Sequence, residues 1–473
     1  MRCLLIAPPL FSDGEKTHPR HPPHMLAYTA AMLEKNNVDV EIIDAFLLNM
    51  TLNEIIREVK RRNPDLVGIA PYDYTRETPI EISHELARLT KSISPEVRAG
   101  LLGSHDKNFF ISQLKQNPSL DYVVLGESEL TMVDLCKTSG ESEKNLTSIK
   151  GLAFRVDGEV VINEERESIK DLDRIPYPAW HLLPLDKYMF IPHRYKHRPF
   201  IPMLASRGCP YKCKFCKEIT YSRTRKYRTR SVRNVIDEIK YLMREYKVKE
   251  IQFADATFGI KRGWVEEFCD ALTSERIKIT WSCLTRVNLV DEAILQKMAD
   301  AGCWNVLYGV ESGCQELLDI IEKGITLKQA KDAIRWTKKT GIETTASFMF
   351  GLPKETPEMA KRTIEFAKKL NPDYAQFFLT KYYFDDGALD DYGTVSKDWD
   401  YSPYDFRGPI FVPDAYRDIE ELKKIQRRAY REFYLRPSFL IKKMAGISSI
   451  SELKRYAHGI KILFKMKRNR MWY

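Results

Sequence analysis

The sequence predicts an α/β protein in which a doubly wound, Rossmann-like domain precedes a partial barrel of six β/α units. Short β-branched runs alternate with amphipathic stretches over residues 1–140, and the alternation resumes over 198–385. A hairpin and a proline-rich linker over 141–197 join the two series, and a mainly helical, basic extension over 386–473 ends the chain. Alternating strands and helices produce parallel sheets covered by helices.

Composition agrees with this fold class. The chain has 473 residues, 44% of them hydrophobic and 30% charged, which is typical of a globular protein with two or three domains. The apolar N-terminus meets Pro8 and Pro9 at once, so it predicts a buried first strand and not a secretory signal. We therefore expect a cytoplasmic protein. The net charge of +10 favours anionic partners in a general way.

Five strands are predicted in the first series. They are Cys3–Ala7, Val38–Ile43, Asp65–Ala70, Val97–Leu102 and Tyr122–Leu125. A sheet of this kind collects its ligand-binding groups on the loops beyond the carboxyl ends of the strands. Residues 151–163 then predict a hairpin that turns at Asp157-Gly158.

The second series predicts strands that could close partly or wholly into a barrel, with its chemistry at the carboxyl-terminal mouth. The first of these strands starts at Ile201 and runs through the segment IPMLASRG. The others are Glu250–Asp255, Ile279–Leu284, Asn305–Val310, Ile342–Phe350 and Tyr374–Thr380.

Three cysteines follow the first barrel strand within one loop, as Cys209, Cys213 and Cys216. Three thiolate ligands leave one iron of a four-iron, four-sulfur cluster open to substrate, whereas electron-carrying clusters usually have four cysteine ligands. A structural zinc site would need a fourth ligand nearby. Zinc binding or chance spacing remains the alternative explanation. The odd total of nine cysteines argues against a secreted disulfide framework.

The C-x3-C-x2-C spacing, with Phe215 beside the last cysteine, resembles the radical S-adenosylmethionine (SAM) superfamily. The resemblance implies that the open iron chelates the amino and carboxylate groups of SAM. It also implies that one electron from the cluster, supplied by a donor such as flavodoxin or ferredoxin, cleaves SAM to a 5'-deoxyadenosyl radical. Cysteines 209, 213 and 216 are then the cluster ligands.

Further motifs at the predicted strand ends resemble SAM-contact positions of the same superfamily. The residues concerned are Asp255, Arg286, Gly309, Glu311, Ser312 and Gly351. By this resemblance, Arg286 pairs with the SAM carboxylate, Glu311 accepts hydrogen bonds from the ribose, and the Gly351 turn lets backbone approach the adenine. Taken singly, each of these residues also fits an ordinary structural role.

The first domain resembles the cobalamin-binding domain of class B radical SAM methyltransferases. The matching positions and the loop after the third strand give the candidate cobalamin contacts Pro8, Pro9, Tyr72, Tyr74, Arg76, Gly103, Ser104, His105, Gly126 and Glu127. Small residues leave room for a flat corrinoid. The D-x-H-x-x-G signature is absent, so the resemblance implies a cobalt without histidine on its lower face, covered by the Tyr72 loop. Alternatively, these aromatic residues simply pack.

After the sixth barrel strand the chain departs from many relatives, which carry a Pro-x-Pro-Gly-Thr turn where this sequence reads TKYYFDDG. Tyr382 and Tyr383 in this segment are the candidate catalytic residues, facing substrate at the mouth. Core packing is the competing explanation, since Phe and Tyr at alternate strand positions, as at Phe377 and Phe378, commonly pack inside.

Two basic segments remain. Residues 221–231 interleave tyrosines with arginines, a pattern that can grip RNA. We favour a local role at SAM, the cobalamin tail or a partner surface, and expect no nucleic acid. The tail from Ile441 fits either an amphipathic helix on a membrane surface or a packed helix with a solvated basic face.

The predicted function is that of a cobalamin-dependent radical SAM C-methyltransferase acting on an unactivated carbon. The basic surface favours a protein or peptide substrate, such as the active-site glutamine of methyl-coenzyme M reductase, ahead of a lipid or tetrapyrrole. A radical cyclase, an oxygenase or a lipid- or tetrapyrrole-modifying enzyme of the same architecture is the alternative among enzymes. A zinc-stabilised nucleic-acid-binding protein is the alternative from another class.

Overall fold

The chain divides into two compact units in the computed structural model. The structure describes residues 1–9, 21–71, 77–103, 107–138, 143–188, 195–216, 226–381, 390–399 and 409–445. The first unit comprises residues 1–190, 206–209 and 219–231, and the second comprises 191–205, 210–218 and 232–473. In these described ranges, no helix is both long and apolar enough to cross a lipid bilayer.

The first unit is built on a seven-stranded sheet. Its strands are β1 (Arg2–Ala7), β2 (Asp39–Asp44), β3 (Leu66–Ile69), β4 (Arg98–Gly103), β5 (Tyr122–Leu125), β6 (Leu152–Val156) and β7 (Glu159–Ile162). They are ordered β2-β1-β3-β4-β5-β6-β7. The first five are parallel, and the predicted hairpin supplies the antiparallel pair β6 and β7. The winding direction reverses between β1 and β3, where doubly wound sheets open their ligand crevice.

Six α-helices accompany this sheet in the described part of the first unit. They are α1 (His24–Lys35), α2 (Ala45–Leu48), α3 (Leu52–Arg62), α4 (Glu77–Ile93), α5 (Lys107–Gln116) and α6 (Ser128–Thr138). A capping box starts α3, because Thr51 accepts from the Glu54 N–H while the Glu54 carboxylate accepts from the Thr51 N–H. Buried strand residues such as Leu4, Val67 and Leu101 form the core with the apolar faces of these helices.

The second unit contains a six-stranded sheet, whose strands are all parallel. These strands are β8 (Phe200–Met203), β11 (Glu250–Phe253), β12 (Thr280–Thr285), β13 (Cys303–Glu311), β14 (Glu343–Phe350) and β15 (Tyr374–Leu379). Their order is β15-β14-β13-β12-β11-β8. The two-residue strands β9 (Ser206–Arg207) and β10 (Arg228–Thr229), assigned to the first unit, pair antiparallel on either side of the cysteine loop.

Helices follow these strands in regular alternation. They are α7 (Val232–Tyr246), α8 (Arg262–Ser274), α9 (Glu292–Asp300), α10 (Gln315–Ile320), α11 (Leu327–Lys339) and α12 (Pro357–Leu370). The C-terminal extension adds strands β16 (Gly393–Trp399) and β17 (Pro409–Pro413) and helices α13 (Ile419–Tyr434) and α14 (Pro437–Ala445). Trp281 packs against Phe253 and Phe268 on the helix side of the sheet. Period-two alternation therefore places Ser282 on the opposite, inner face.

Candidate cofactor sites

The three cysteines lie just beyond β9, within one loop. Cys213 is buried, Cys209 is half-buried and Cys216 is exposed. The Cys216 N–H donates to the Cys213 carbonyl at 3.1 Å, which closes a tight turn. Within the part of the chain that the structure describes, no three His, Cys, Asp or Glu side chains converge closely enough to hold a single metal ion.

Arg286, directly after β12, points its guanidinium at the cysteine loop. Its Cζ lies 3.7 Å from the ring centroid of Tyr211, and its Nη1 lies 3.5 Å from the Sγ of Cys213. Nε donates to Asn288 Oδ1 at 3.2 Å, and Nη2 donates to the Lys323 carbonyl. Because this buried cation contacts a thiol sulfur, the donor set fits a negatively charged thiolate cluster.

Glu311, the last residue of β13, forms a buried ion pair. Its Oε1 lies 2.6 Å from the Nζ of Lys323, and both side chains are less than 10% exposed. A bulge at the end of β13 gives Glu311 a φ of +66° and folds its side chain back over Gly309. A Cβ on Gly309 would lie 2.4 Å from Glu311 Oε1 and 2.9 Å from Lys323 Nζ, so the pair in this position leaves no room for a side chain at residue 309.

Lys323 belongs to the segment 321–324, which contacts the cysteine loop at several points. The Lys214 N–H donates to the Ile321 carbonyl at 3.0 Å, and the Lys214 ammonium lies 3.3 Å from Glu322. The Lys323 ammonium lies 5.6 Å from the ring centroid of Phe215. This segment therefore fixes the loop between the second and third cysteines to the end of β13.

The Gly351 turn after β14 is held by a buried carboxylate. Gly351 has a φ of +78°, and its N–H donates to Glu355 Oε1 at 2.8 Å. The Tyr416 hydroxyl donates to the same oxygen at 2.6 Å. Burial raises the pKa of Glu355 to about 7, against the effect of these donors. The turn is thereby tied to the C-terminal extension.

Two other predicted SAM contacts have structural partners. Asp255 Oδ2 accepts from the Ala205 N–H at 3.1 Å, just before β9. The Ser312 hydroxyl lies 3.2 Å from that of Thr363 on α12 and accepts from the Cys314 N–H at 3.1 Å. Both residues therefore fix the loops that surround the site.

The predicted cobalamin contacts that the structure describes lie at the carboxyl ends of β1, β4 and β5. Pro8 and Pro9 are buried after β1. A Cβ on Gly103 would lie 2.4 Å from the Phe110 ring, so glycine is needed there for packing. Gly126 has a φ of +85° and open space where a Cβ would be, which leaves room for a flat ligand.

Glu127 is buried, and its carboxylate is bound by protein groups. It accepts from the Ile169 N–H at 2.8 Å and from Arg228 at 2.7 Å. Burial opposes ionisation, but the hydrogen bond from Arg228 and the charges of Arg207 and Arg228 leave the pKa of Glu127 lowered. The remaining candidates lie outside the described residues, namely Tyr72, Tyr74, Arg76, Ser104, His105, Tyr382 and Tyr383.

A doubly wound sheet and a six-stranded parallel sheet with a three-cysteine loop define a two-domain α/β protein. Residues 203–367 match the radical SAM superfamily, and residues 14–136 match the B12 binding domain. The chain is 34% identical to an uncharacterized methyltransferase from Pyrococcus horikoshii, over 93% of this chain and 94% of that protein. It is 33% identical to the anaerobic magnesium-protoporphyrin IX monomethyl ester cyclase of Rubrivivax gelatinosus, over 93% of this chain and 78% of the cyclase.

Solved structures share the fold. The radical SAM methyltransferase TsrM from Kitasatospora setae, with tryptophan and a SAM analogue bound, superposes with a TM-score of 0.70 at 17% identity, covering 90% of this chain and 88% of TsrM. The chain belongs to the cobalamin-dependent radical SAM methyltransferase family. Its cofactors are a four-iron, four-sulfur cluster, SAM and cobalamin, so the zinc-stabilised nucleic-acid-binding alternative is wrong.

Proposed function

We propose that this enzyme transfers a methyl group to an unactivated carbon and starts by abstracting a hydrogen atom from it. The observation that carries the proposal is the pairing of the two cofactor domains in one chain, matched over 93% of its length by a methyltransferase. When bound, the cofactors supply a transferable methyl group and a radical initiator. A nucleophilic acceptor would need only SAM, so this pairing favours a carbon that has no usable lone pair.

In this proposal Cys209, Cys213 and Cys216 hold the cluster, with electrons from a donor such as flavodoxin or ferredoxin. Arg286 orients the cysteine loop through Tyr211 and Cys213, a role that its contacts support at 3.7 and 3.5 Å. Its charge and that of Lys323 favour the SAM carboxylate nearby.

Glu311 accepts from the ribose hydroxyls in this proposal, and the Gly351 turn offers backbone to the adenine. Cobalamin binds at the carboxyl ends of β1, β4 and β5, where Gly126 leaves open space. Tyr382 and Tyr383 remain the candidates that face substrate. The domain limits at residues 140, 197 and 385 are part of the same proposal.

The acceptor we propose is a small molecule of the tetrapyrrole or nucleotide-conjugate kind. Relatives support this class, since they include the magnesium-protoporphyrin cyclase above and a cytidylyl-2-hydroxyethylphosphonate methyltransferase from Streptomyces wedmorensis, 27% identical over 75% of this chain. A protein or peptide acceptor, such as the glutamine of methyl-coenzyme M reductase, is the alternative that the basic sequence favours.

The test is product analysis of the anaerobically reconstituted enzyme with a panel of magnesium protoporphyrin ester, phosphonate conjugate and glutamine peptide. Methyl transfer that starts with hydrogen abstraction consumes two SAM molecules, so S-adenosylhomocysteine and 5'-deoxyadenosine should appear in equal amounts. Deuterium at the target carbon should appear in 5'-deoxyadenosine. Formation of 5'-deoxyadenosine without S-adenosylhomocysteine in the presence of a consumed substrate would contradict methyl transfer.

That contrary outcome would support the second candidate, a radical cyclase. The specific observation in its favour is the 33% identity to the Rubrivivax cyclase over 93% of this chain. A cyclised product without added mass from the SAM methyl group would identify it.

The proposed SAM contacts predict the effect of Gly309→Ala. The new methyl group must displace the Glu311–Lys323 pair, which lies within 3 Å of its position. We expect SAM binding to weaken on the order of tenfold, measured by equilibrium dialysis of reconstituted protein. Gly263→Ala is the matched control, because Gly263 lies in α8 with open space around its Cβ position. Unchanged SAM affinity in Gly309→Ala would show that the Glu311–Lys323 pair is not part of the SAM site.

A further inference from the structure

Two arginines face each other across the short ladder that leads into the cysteine loop. Arg207 of β9 pairs with Arg228 of β10, and both are largely buried, with side chains 3% and 9% exposed. Like charges directly opposite one another destabilise an antiparallel pair, and burial increases the cost. The ladder therefore needs negative charge from elsewhere in the chain.

The turn after β5 supplies that charge from two glutamates. Glu127 Oε1 lies 2.7 Å from Arg228 Nη2 and 3.4 Å from Arg207 Nη1, so one oxygen bridges both cations. Glu129 Oε1 lies 2.6 Å from Arg207 Nη2, and the Glu129 side chain is fully buried. Two carboxylates thus balance two guanidiniums inside the first unit.

Arg207 is separated from Cys209 only by Gly208. Gly208 has a φ of +82°, a conformation that favours glycine and sets the direction in which the chain enters the cysteine loop. The guanidinium of Arg207 also lies 5.0 Å from the ring centroid of Tyr28 on α1. The strand that ends at the first cysteine is therefore anchored by its arginine.

We propose that Glu127 and Glu129 are positioning residues for the cluster, acting through Arg207 on the backbone that carries Cys209. This inference rests on the proposed role of Cys209 as a cluster ligand. It gives the turn from Gly126 to Glu129 two functions. Gly126 leaves space at the edge of the cobalamin-binding sheet, and the two carboxylates hold the strand that presents a thiol to iron.

The first measurement is hydrogen exchange in the metal-free protein. Glu127→Gln leaves an uncompensated positive charge beside Arg207 and Arg228, so exchange in peptides covering 206–209 and 226–231 should accelerate on the order of tenfold. Peptides from β4 should be unchanged, which shows that the variant is folded. Glu164→Gln, which alters an exposed ion pair with Lys150, is the matched control and should exchange like the parent protein.

A double variant separates charge balance from simple loss of packing. Glu127→Gln combined with Arg228→Gln removes one charge of each sign, so it should recover much of the protection that Glu127→Gln alone loses. Glu129→Gln should accelerate exchange at 206–209 more than at 226–231, because its contact is with Arg207.

The second measurement is the rate at which a chelator removes iron from reconstituted protein. Both glutamine variants should lose iron faster than Glu164→Gln, while hydroxocobalamin binding stays unchanged in Glu129→Gln, whose carboxylate pairs with Arg207. Parent-like exchange and iron release in both variants would overturn the inference, as would loss of hydroxocobalamin binding in Glu129→Gln with unchanged exchange. If the parent protein itself takes up no iron, the proposed cluster ligands fail instead, and exchange still reports on the anchoring of the strand.

Discussion

Single buried carboxylates in this protein behave differently according to the groups that face them. Two arginines lower the pKa of Glu127, although burial opposes them. Glu355 is bound by neutral donors, the Tyr416 hydroxyl and backbone N–H groups, so burial prevails and raises its pKa to about 7. A buried glutamate is therefore a fixed anion at the position of Glu127, whereas at the position of Glu355 it titrates near neutral pH.

The raised pKa of Glu355 predicts a pH-dependent stability. Since the folded state holds this proton more tightly than the unfolded state, the stabilisation is complete below the usual pKa of 4.5 and is lost as pH rises through about 7. A shift of this size corresponds to about 3 kcal/mol of unfolding free energy. Glu355→Gln keeps the acceptor for Gly351 and Tyr416 without the titration, so its denaturation midpoint should vary less between pH 5 and 8.

Glu358→Gln, at an exposed position on α12, is the control for this comparison and should follow the parent protein. Parallel pH profiles for Glu355→Gln and the parent protein would show that Glu355 does not titrate in this range.

At the level of elements, the positions of the strands and their alternation with helices could be predicted from the sequence pattern alone. The sequence predicts β5 at its observed limits and places the other sheet strands within a few residues. The segment IPMLASRG, however, is predicted as one strand and forms two, β8 and β9. The chain changes partners there, because β8 pairs with β11 and β9 pairs with β10. Asp255 holds the break through Ala205, a contact that local pattern does not reveal.

The same limit applies to the candidate site. Lys323 was not predicted, because a lysine after a short helix is ordinarily solvated, and only the fold brings it to Glu311. The sequence does contain a local signal that Arg207 lies near the site, since this arginine ends an apolar strand beside the cysteine triplet. Motif position can be predicted from sequence, whereas the partner of each charge depends on tertiary packing.

The segment before β8 depends on another buried carboxylate, Glu250 at the start of β11. Glu250 accepts from the N–H groups of Lys196 and His197 at 2.7 Å each and from Trp304 Nε1 at 2.8 Å. Trp304→Phe removes one donor to a buried carboxylate, so we expect a loss of about 1–3 kcal/mol in unfolding free energy. Chemical denaturation measures it.

Trp336→Phe on α11, where the side chain is half-buried, is the matched control and should cost less. Equal losses in the two variants would mean that ring volume, and not the hydrogen bond to Glu250, accounts for the effect.

Across the whole molecule, the nine cysteines differ in their accessibility to solvent. Seven of the nine cysteines are buried, whereas Cys209 is half-buried and Cys216 is exposed. Burial raises the pKa of Cys269 to about 12 and raises that of Cys303 as well, so these thiols stay protonated and poorly nucleophilic. Alkylation chemistry should therefore report almost entirely on the cysteine loop.

Because of this difference in accessibility, alkylation of the unmodified sequence can report whether the cluster is bound. Brief iodoacetamide treatment of metal-free protein should add carbamidomethyl mass to the peptide that carries Cys209 and Cys216, and leave Cys269 and Cys303 unmodified. Reconstitution with iron and sulfide should block that modification, and mass spectrometry then gives cluster occupancy without any substitution in the chain. Equal labelling before and after reconstitution would place the iron elsewhere.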